Sequence, residues 1–115
     1  MKLRDVFDAA ARRLDRGENH YCCTAICAAA GWGQDLPRVG IYTCPAVARF
    51  LELCCGPIKD DEHDLASHDL TERVIKEARA AVGANASEAQ LRHACYLARV
   101  NLLRVAAKLV GDEEL

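Results

Sequence analysis

Apolar residues recur at three- and four-residue intervals along most of the chain, the period that gathers them on one side of an α-helix. Leu3, Val6, Phe7, Ala10 and Leu14 form the first such stripe, with Arg4, Asp5, Asp8, Arg12, Arg13, Asp15 and Arg16 on the other side. Gly17 stands where a left-handed residue would close this helix, and Asn19 follows as a cap for the next. The segment from His20 to Trp32 is apolar nearly all round and carries Cys22, Cys23 and Cys27. A helix without a polar side is one that other elements surround, so this second helix is expected at the centre of the fold. Gly31 is placed to end it, with Trp32 expected to fold back onto Cys27 as a lid on the core.

Gly33 to Thr43, with Pro37 inside it, reads as a loop. Cys44-Pro45 opens a third helix, since proline at the first helical position has no amide to waste. Val47, Phe50, Leu51 and Cys54 form its stripe, and Gly56-Pro57 stops it. Residues 56–69 read as an acidic loop, where Lys59 stands against Asp60, Asp61, Glu62, Asp64 and Asp69, with at most one turn around Leu65. Asp69 and Glu72 have the spacing of a reciprocal cap, opening a fourth helix through Leu70, Val74, Ile75, Ala78 and Val82 that Gly83 ends. Two overlapping caps, Asn85 with Glu88 and Ser87 with Gln90, compete to begin the last helix. Its stripe is Leu91, Ala94, Cys95, Ala98, Leu102, Val105, Ala106 and Leu109, widened by Leu97 and Leu103. At 1.5 Å per residue it is roughly 34 Å long. Residues 111–115 are an acidic tail, expected to be disordered. The pattern predicts an all-α protein, one domain over residues 1–115, folded as a compact bundle of about five helices with a long C-terminal helix.

Composition agrees with that class: aromatics make up only 5% and prolines number three, which favours helix over strand. A chain of 115 residues buries roughly two thirds of its unfolded surface without help from a metal or a disulfide. With a formal charge of −2 there is no global positive field to hold nucleic acid or an anionic membrane. The N-terminus enters an amphipathic pattern directly and no stretch reaches roughly eighteen apolar residues, so neither a secretory leader nor a membrane span is expected. Seven cysteines, an odd number without a leader, point to free and largely buried thiols in a reducing cytoplasm.

Two cysteine chemistries are open. Cys23 and Cys27, one helical turn apart, supply two ligands of a zinc or iron site if other helices bring Cys54, Cys95 and His93, although the paired Cys-x-x-Cys turns usual in structural zinc sites are missing. Cys22 lies in the first turn of its helix beside His20, where unpaired amides favour a thiolate, and is the candidate reactive thiol. His63-Asp64 and His68-Asp69 fit a solvated acidic loop better than the metal-binding pair of the helical phosphohydrolases. Arg92, Tyr96 and Arg99 share a stripe of the last helix, continued by Arg104 and Lys108. That stripe is either a nucleic-acid contact or, together with the oppositely charged Asp60, Asp61 and Glu62, a surface for protein partners.

The early segment Tyr21-Cys22-Cys23-Thr24-Ala25-Ile26, combined with the late segment Arg99-Val100-Asn101-Leu102-Leu103-Arg104-Val105-Ala106, resembles short uncharacterised helical proteins encoded by bacteriophages and prophages. The resemblance implies a small cytoplasmic accessory protein that binds and inhibits or regulates a host protein. The expectation is therefore a non-catalytic, protein-binding module without a cofactor, whose partner is a host protein or a second copy of itself. Metal binding is the alternative and nucleic-acid binding the second alternative, and no membrane partner is expected.

Overall fold

The computed structural model describes residues 1–33, 38–59 and 61–115. Six helices appear among them: α1 (Leu3–Asp15), α2 (Cys22–Ala29), α3 (Arg38–Tyr42), α4 (Pro45–Cys55), α5 (His63–Val82) and α6 (Glu88–Val110). The only extended pairing among the described residues is an isolated bridge between Lys2 and Glu114. The all-α expectation holds.

Several boundaries follow from local chemistry. Past α1, Gly17 adopts a φ of 72°. There the Glu18 amide donates to the Arg13 carbonyl at 3.0 Å and the Gly17 amide to Leu14 at 3.1 Å. The same crossed pair ends α2, where the Trp32 amide donates to Cys27 at 2.8 Å and the Gly31 amide to Ala28 at 3.2 Å. Both are Schellman closures, which need a residue with positive φ at the turn. Pro45 begins α4 as expected. Of the two competing caps before α6, the structure selects Ser87 with Gln90. The Gln90 amide donates to Ser87 Oγ at 3.2 Å and the Ser87 amide to Gln90 Oε1 at 2.8 Å.

The core is organised on α1, whose Leu3, Val6, Phe7, Ala10, Ala11 and Leu14 are all buried. It packs against α2 on one side and the second half of α6 on the other. Across the middle, the rings of Phe7 and Phe50 meet edge to face with centroids 5.8 Å apart. Ile26, Val47, Leu51 and Leu103, with Cys27 and Cys44, are fully buried around them. α2 is central in that it touches α1, α3, α4 and α6, and reaches α5 through Cys23 and Ser67. A smaller cluster of Val74, Ala78 and Cys95 joins the outer half of α5 to the first half of α6.

Six features differ from the sequence expectations. Part of the Gly33–Thr43 loop is helical, as α3, while Pro37 lies outside the described residues. The acidic segment is shorter than expected, because α5 starts at His63 and runs unbroken through Asp69 and Glu72, which form no cap. Asn19 does not cap α2; it is buried and its Oδ1 accepts from Arg13 Nε at 2.7 Å. Trp32 makes its backbone contact to Cys27 but leaves its side chain 46% exposed, so it is no lid. The expected α6 stripe is also broken. Cys95 faces α5, then Leu103, Ala106, Ala107 and Val110 face α1, and Leu97, Val105 and Leu109 turn outward.

The acidic tail is held rather than disordered. The Leu3 amide donates to the Glu113 carbonyl at 2.9 Å and the Leu115 amide to Met1 at 3.0 Å. Asp112 takes both Lys2 and Arg4 at 3.1 Å, and Arg49 grips Glu113 with Nε at 2.8 Å and Nη2 at 3.1 Å. Each of these partners is far away in sequence, so no local pattern announces them.

Truncating Phe50 to alanine removes the partner of Phe7 and should lower stability in urea by about 3–5 kcal/mol. Ser87→Ala, which opens one capping box, should cost about 1 kcal/mol in the same titration. Equal losses would contradict a core centred on the Phe7 and Phe50 contact.

Candidate functional site

The first turn of α2 meets α3, α5 and α6 around a cavity of about 330 Å³. Ile41, Leu70 and Val74 give it an apolar floor, and Ser67 and Thr71 add hydroxyls from α5. Ser67, Leu70, Thr71 and Val74 lie on one side of α5 because they stand three and four residues apart. Thr71 Oγ1 donates to the Ser67 carbonyl at 3.1 Å, which orients that wall. Arg99 reaches the cavity from α6, with its guanidinium carbon 5.3 Å from the centroid of the Tyr21 ring. Among the described residues no carboxylate pairs with Arg99. The other ionisable base at the rim, His68, stands 3.2 Å from Glu72 on its own helix.

Two cysteines line this cavity, and burial decides their chemistry. Cys22 is 7% exposed and its Sγ donates to the Arg99 carbonyl at 3.8 Å. Desolvation raises its thiol far above the ordinary value, outweighing the nearby Arg99 charge and the backbone hydrogen bond that act the other way. Burial thus works against the thiolate that the helix start favours at Cys22, since that preference operates only where water still reaches the sulfur. Cys23 faces Ser67 Oγ at 3.9 Å and is pushed to about 11, again first by burial. Cys27 points elsewhere, donating to the Ile41 carbonyl at 3.7 Å beside Cys44, and is pushed to about 12.

The proposed metal ligands are not assembled. Cys23 and Cys27 face different neighbours, Cys54 is half-buried on α4, Cys95 sits in the separate cluster with Val74 and Ala78, and His93 is exposed, its ring 5.8 Å from that of Tyr96. Among the described residues no three His, Cys, Asp or Glu side chains come together to hold a metal ion.

Arg92, Tyr96 and Arg99 do converge, with His20 and Tyr21, on a second hollow of about 310 Å³ where α6 meets the connection between α1 and α2. The stripe is partly spent inside the molecule: Tyr96 donates its hydroxyl to Asp15, and Arg104 Nη2 approaches the same carboxylate at 3.4 Å. The acidic counterpart is less defined. Asp61 and Glu62 are exposed ahead of α5, while Asp60 lies outside the described residues. Sequence reasoning missed the Ser67 and Thr71 wall because Ser67 fell in the segment read as loop, just ahead of the helix that held Thr71. The available signal was two hydroxyl residues at helical spacing within the apolar row of Leu70 and Val74.

No helix among the described residues is long and apolar enough to cross a membrane. Compared with known proteins, the chain matches no family model, no curated protein and no solved structure.

Alkylation of the native protein by iodoacetamide, mapped by mass, should label the exposed Cys55 first and leave Cys22 protected until the chain unfolds. Rapid labelling of Cys22 would establish it as a reactive thiol. The raised thiols also set an alkaline limit. Because their folded values lie above the unfolded value of 9.0, the stability they contribute is complete below that pH and falls as pH rises toward about 11 for Cys23 and Cys54 and about 12 for Cys27. Urea midpoints should therefore stay level to about pH 8 and drop beyond about pH 9, less steeply in Cys23→Ala. Identical slopes in the two proteins would remove Cys23 as a cause.

Proposed function

We propose that the protein is a non-catalytic interaction module, a phage-type accessory protein that works in the cytoplasm by binding and inhibiting or regulating a host protein. The observation that carries this reading is the outward side of α6, where Leu97 is 51% exposed, Val105 44% and Leu109 65%. These apolar side chains follow one another along a single helix that is anchored on its other side by α5 and α1. Asn101, Arg104 and Lys108, all exposed, lie among them. A rigid helix offering spaced apolar anchors in a basic setting suits a partner with an apolar groove edged by acidic residues. The buried, desolvated thiols and the dispersed metal candidates support a binding role over a catalytic one.

The test is capture from a bacterial lysate with the wild-type protein and with the triple variant Leu97→Asp, Val105→Asp, Leu109→Asp. The exposed positions should tolerate the change, so circular dichroism and thermal midpoint should be nearly unchanged while the captured protein is lost. Equal retention by both proteins, or none by the wild type, would reject this reading. Light scattering of the two proteins separates the remaining partner class: a wild-type dimer that the triple variant dissolves identifies the partner as a second copy instead of a host protein.

A further inference from the structure

The cavity between α2, α3, α5 and α6 has a ligand chemistry of its own, independent of the outward side of α6. Its charged lining is one-sided: Arg99 and His68 are the bases, and none of the described residues around it is acidic. His68 has Glu72 beside it, whereas the Arg99 guanidinium has the Tyr21 ring face and no carboxylate among the described residues. An arginine held over an aromatic ring keeps its planar fork and several N–H donors free, which matches the two oxygens of a carboxylate. Beyond it, Ile41, Leu70 and Val74 offer apolar surface, with Ser67 and Thr71 at the side. The volume of about 330 Å³ is near the lower end of small-molecule sites, which run from about 300 to 1,000 Å³.

From this arrangement we infer that the cavity binds a small amphiphilic monocarboxylate, its acid group on Arg99 and its single ring or short chain against Ile41, Leu70 and Val74. A nucleotide fits poorly on two grounds. The apolar floor has no counterpart for a phosphate chain, and one arginine balances one negative charge rather than several. Neutral apolar molecules would fill the floor but forgo the charge-assisted hydrogen bonds, so the carboxylate is the discriminating group.

The experiment is a titration of the ¹⁵N-labelled protein with 3-phenylpropanoate and, separately, with its uncharged analogue 3-phenylpropanamide, followed by amide shifts. The expected result is saturable movement of the Cys23, Ser67, Thr71 and Arg99 signals, with the carboxylate binding about tenfold or more tightly than the amide. Arg99→Gln should erase that preference, and Thr71→Phe, which fills the cavity, should abolish both titrations while the amide spectrum stays dispersed. Equal affinity for acid and amide, an unchanged preference in Arg99→Gln, movement confined to other residues, or no movement at all would overturn the assignment. The comparison of the two ligands on the wild-type protein decides the question even if neither variant folds.

Discussion

Burial of the apolar side of α1 is the constraint on which the other elements depend. Leu3, Val6, Phe7, Ala10, Ala11 and Leu14 have to leave water together, and no single neighbour covers them all. α2 covers one flank, the second half of α6 the other, and α4 reaches in through Phe50 to meet Phe7. Once α6 is laid on α1, its end arrives beside the start of the chain, and the terminal residues pair with Lys2, Leu3 and Arg4. Those exposed ion pairs are the result of the packing rather than its cause, because water and salt screen them. The outer half of the α5 and α6 pair rests on the much smaller cluster of Val74, Ala78 and Cys95. Local opening should therefore begin there, where few apolar side chains oppose it.

The same packing directs the chemistry of the surface. Asp15, at the end of α1, takes the Tyr96 hydroxyl and faces Arg104, so part of the basic stripe of α6 is neutralised within the molecule. Arg99 escapes that pairing because the neighbouring element at its position is the start of α2, which presents the Tyr21 ring, the buried Cys22 and the half-buried Cys23 instead of an acid. Its charge is left at the edge of a hollow with an apolar floor. The thiols nearby are quieted by the burial that shapes the hollow, with Cys22 and Cys23 both held well above their ordinary range.

Features encoded within four or five residues were legible in the sequence. Gly17 and Gly31 close their helices because positive φ is nearly free for glycine, and Pro45 opens α4 because its missing amide is not needed there. The stripes of α1 and α4 were also readable, since each helix shows one apolar side to one core. Reading α6 the same way failed because it serves two cores, α5 with its first half and α1 with its second, and the buried side turns between them. A single stripe drawn through the whole helix therefore included Val105 and Leu109, which face outward.

The sequence by itself determined the helical class, the principal helix ends and the inner residues of α1 and α4, because those depend on hydrogen bonds and periodicities confined to neighbouring residues. Only the tertiary structure decided that the tail is clasped by Lys2, Arg4 and Arg49, that Cys22 is buried, and that Arg99 stands at a hollow whose described lining carries no acid. Each of these is set by side chains distant along the chain, such as Cys22 with Arg99 or Arg49 with Glu113, whose meeting follows from how the helices stack. Burial and electrostatic environment belong to that stacking and to no residue taken singly.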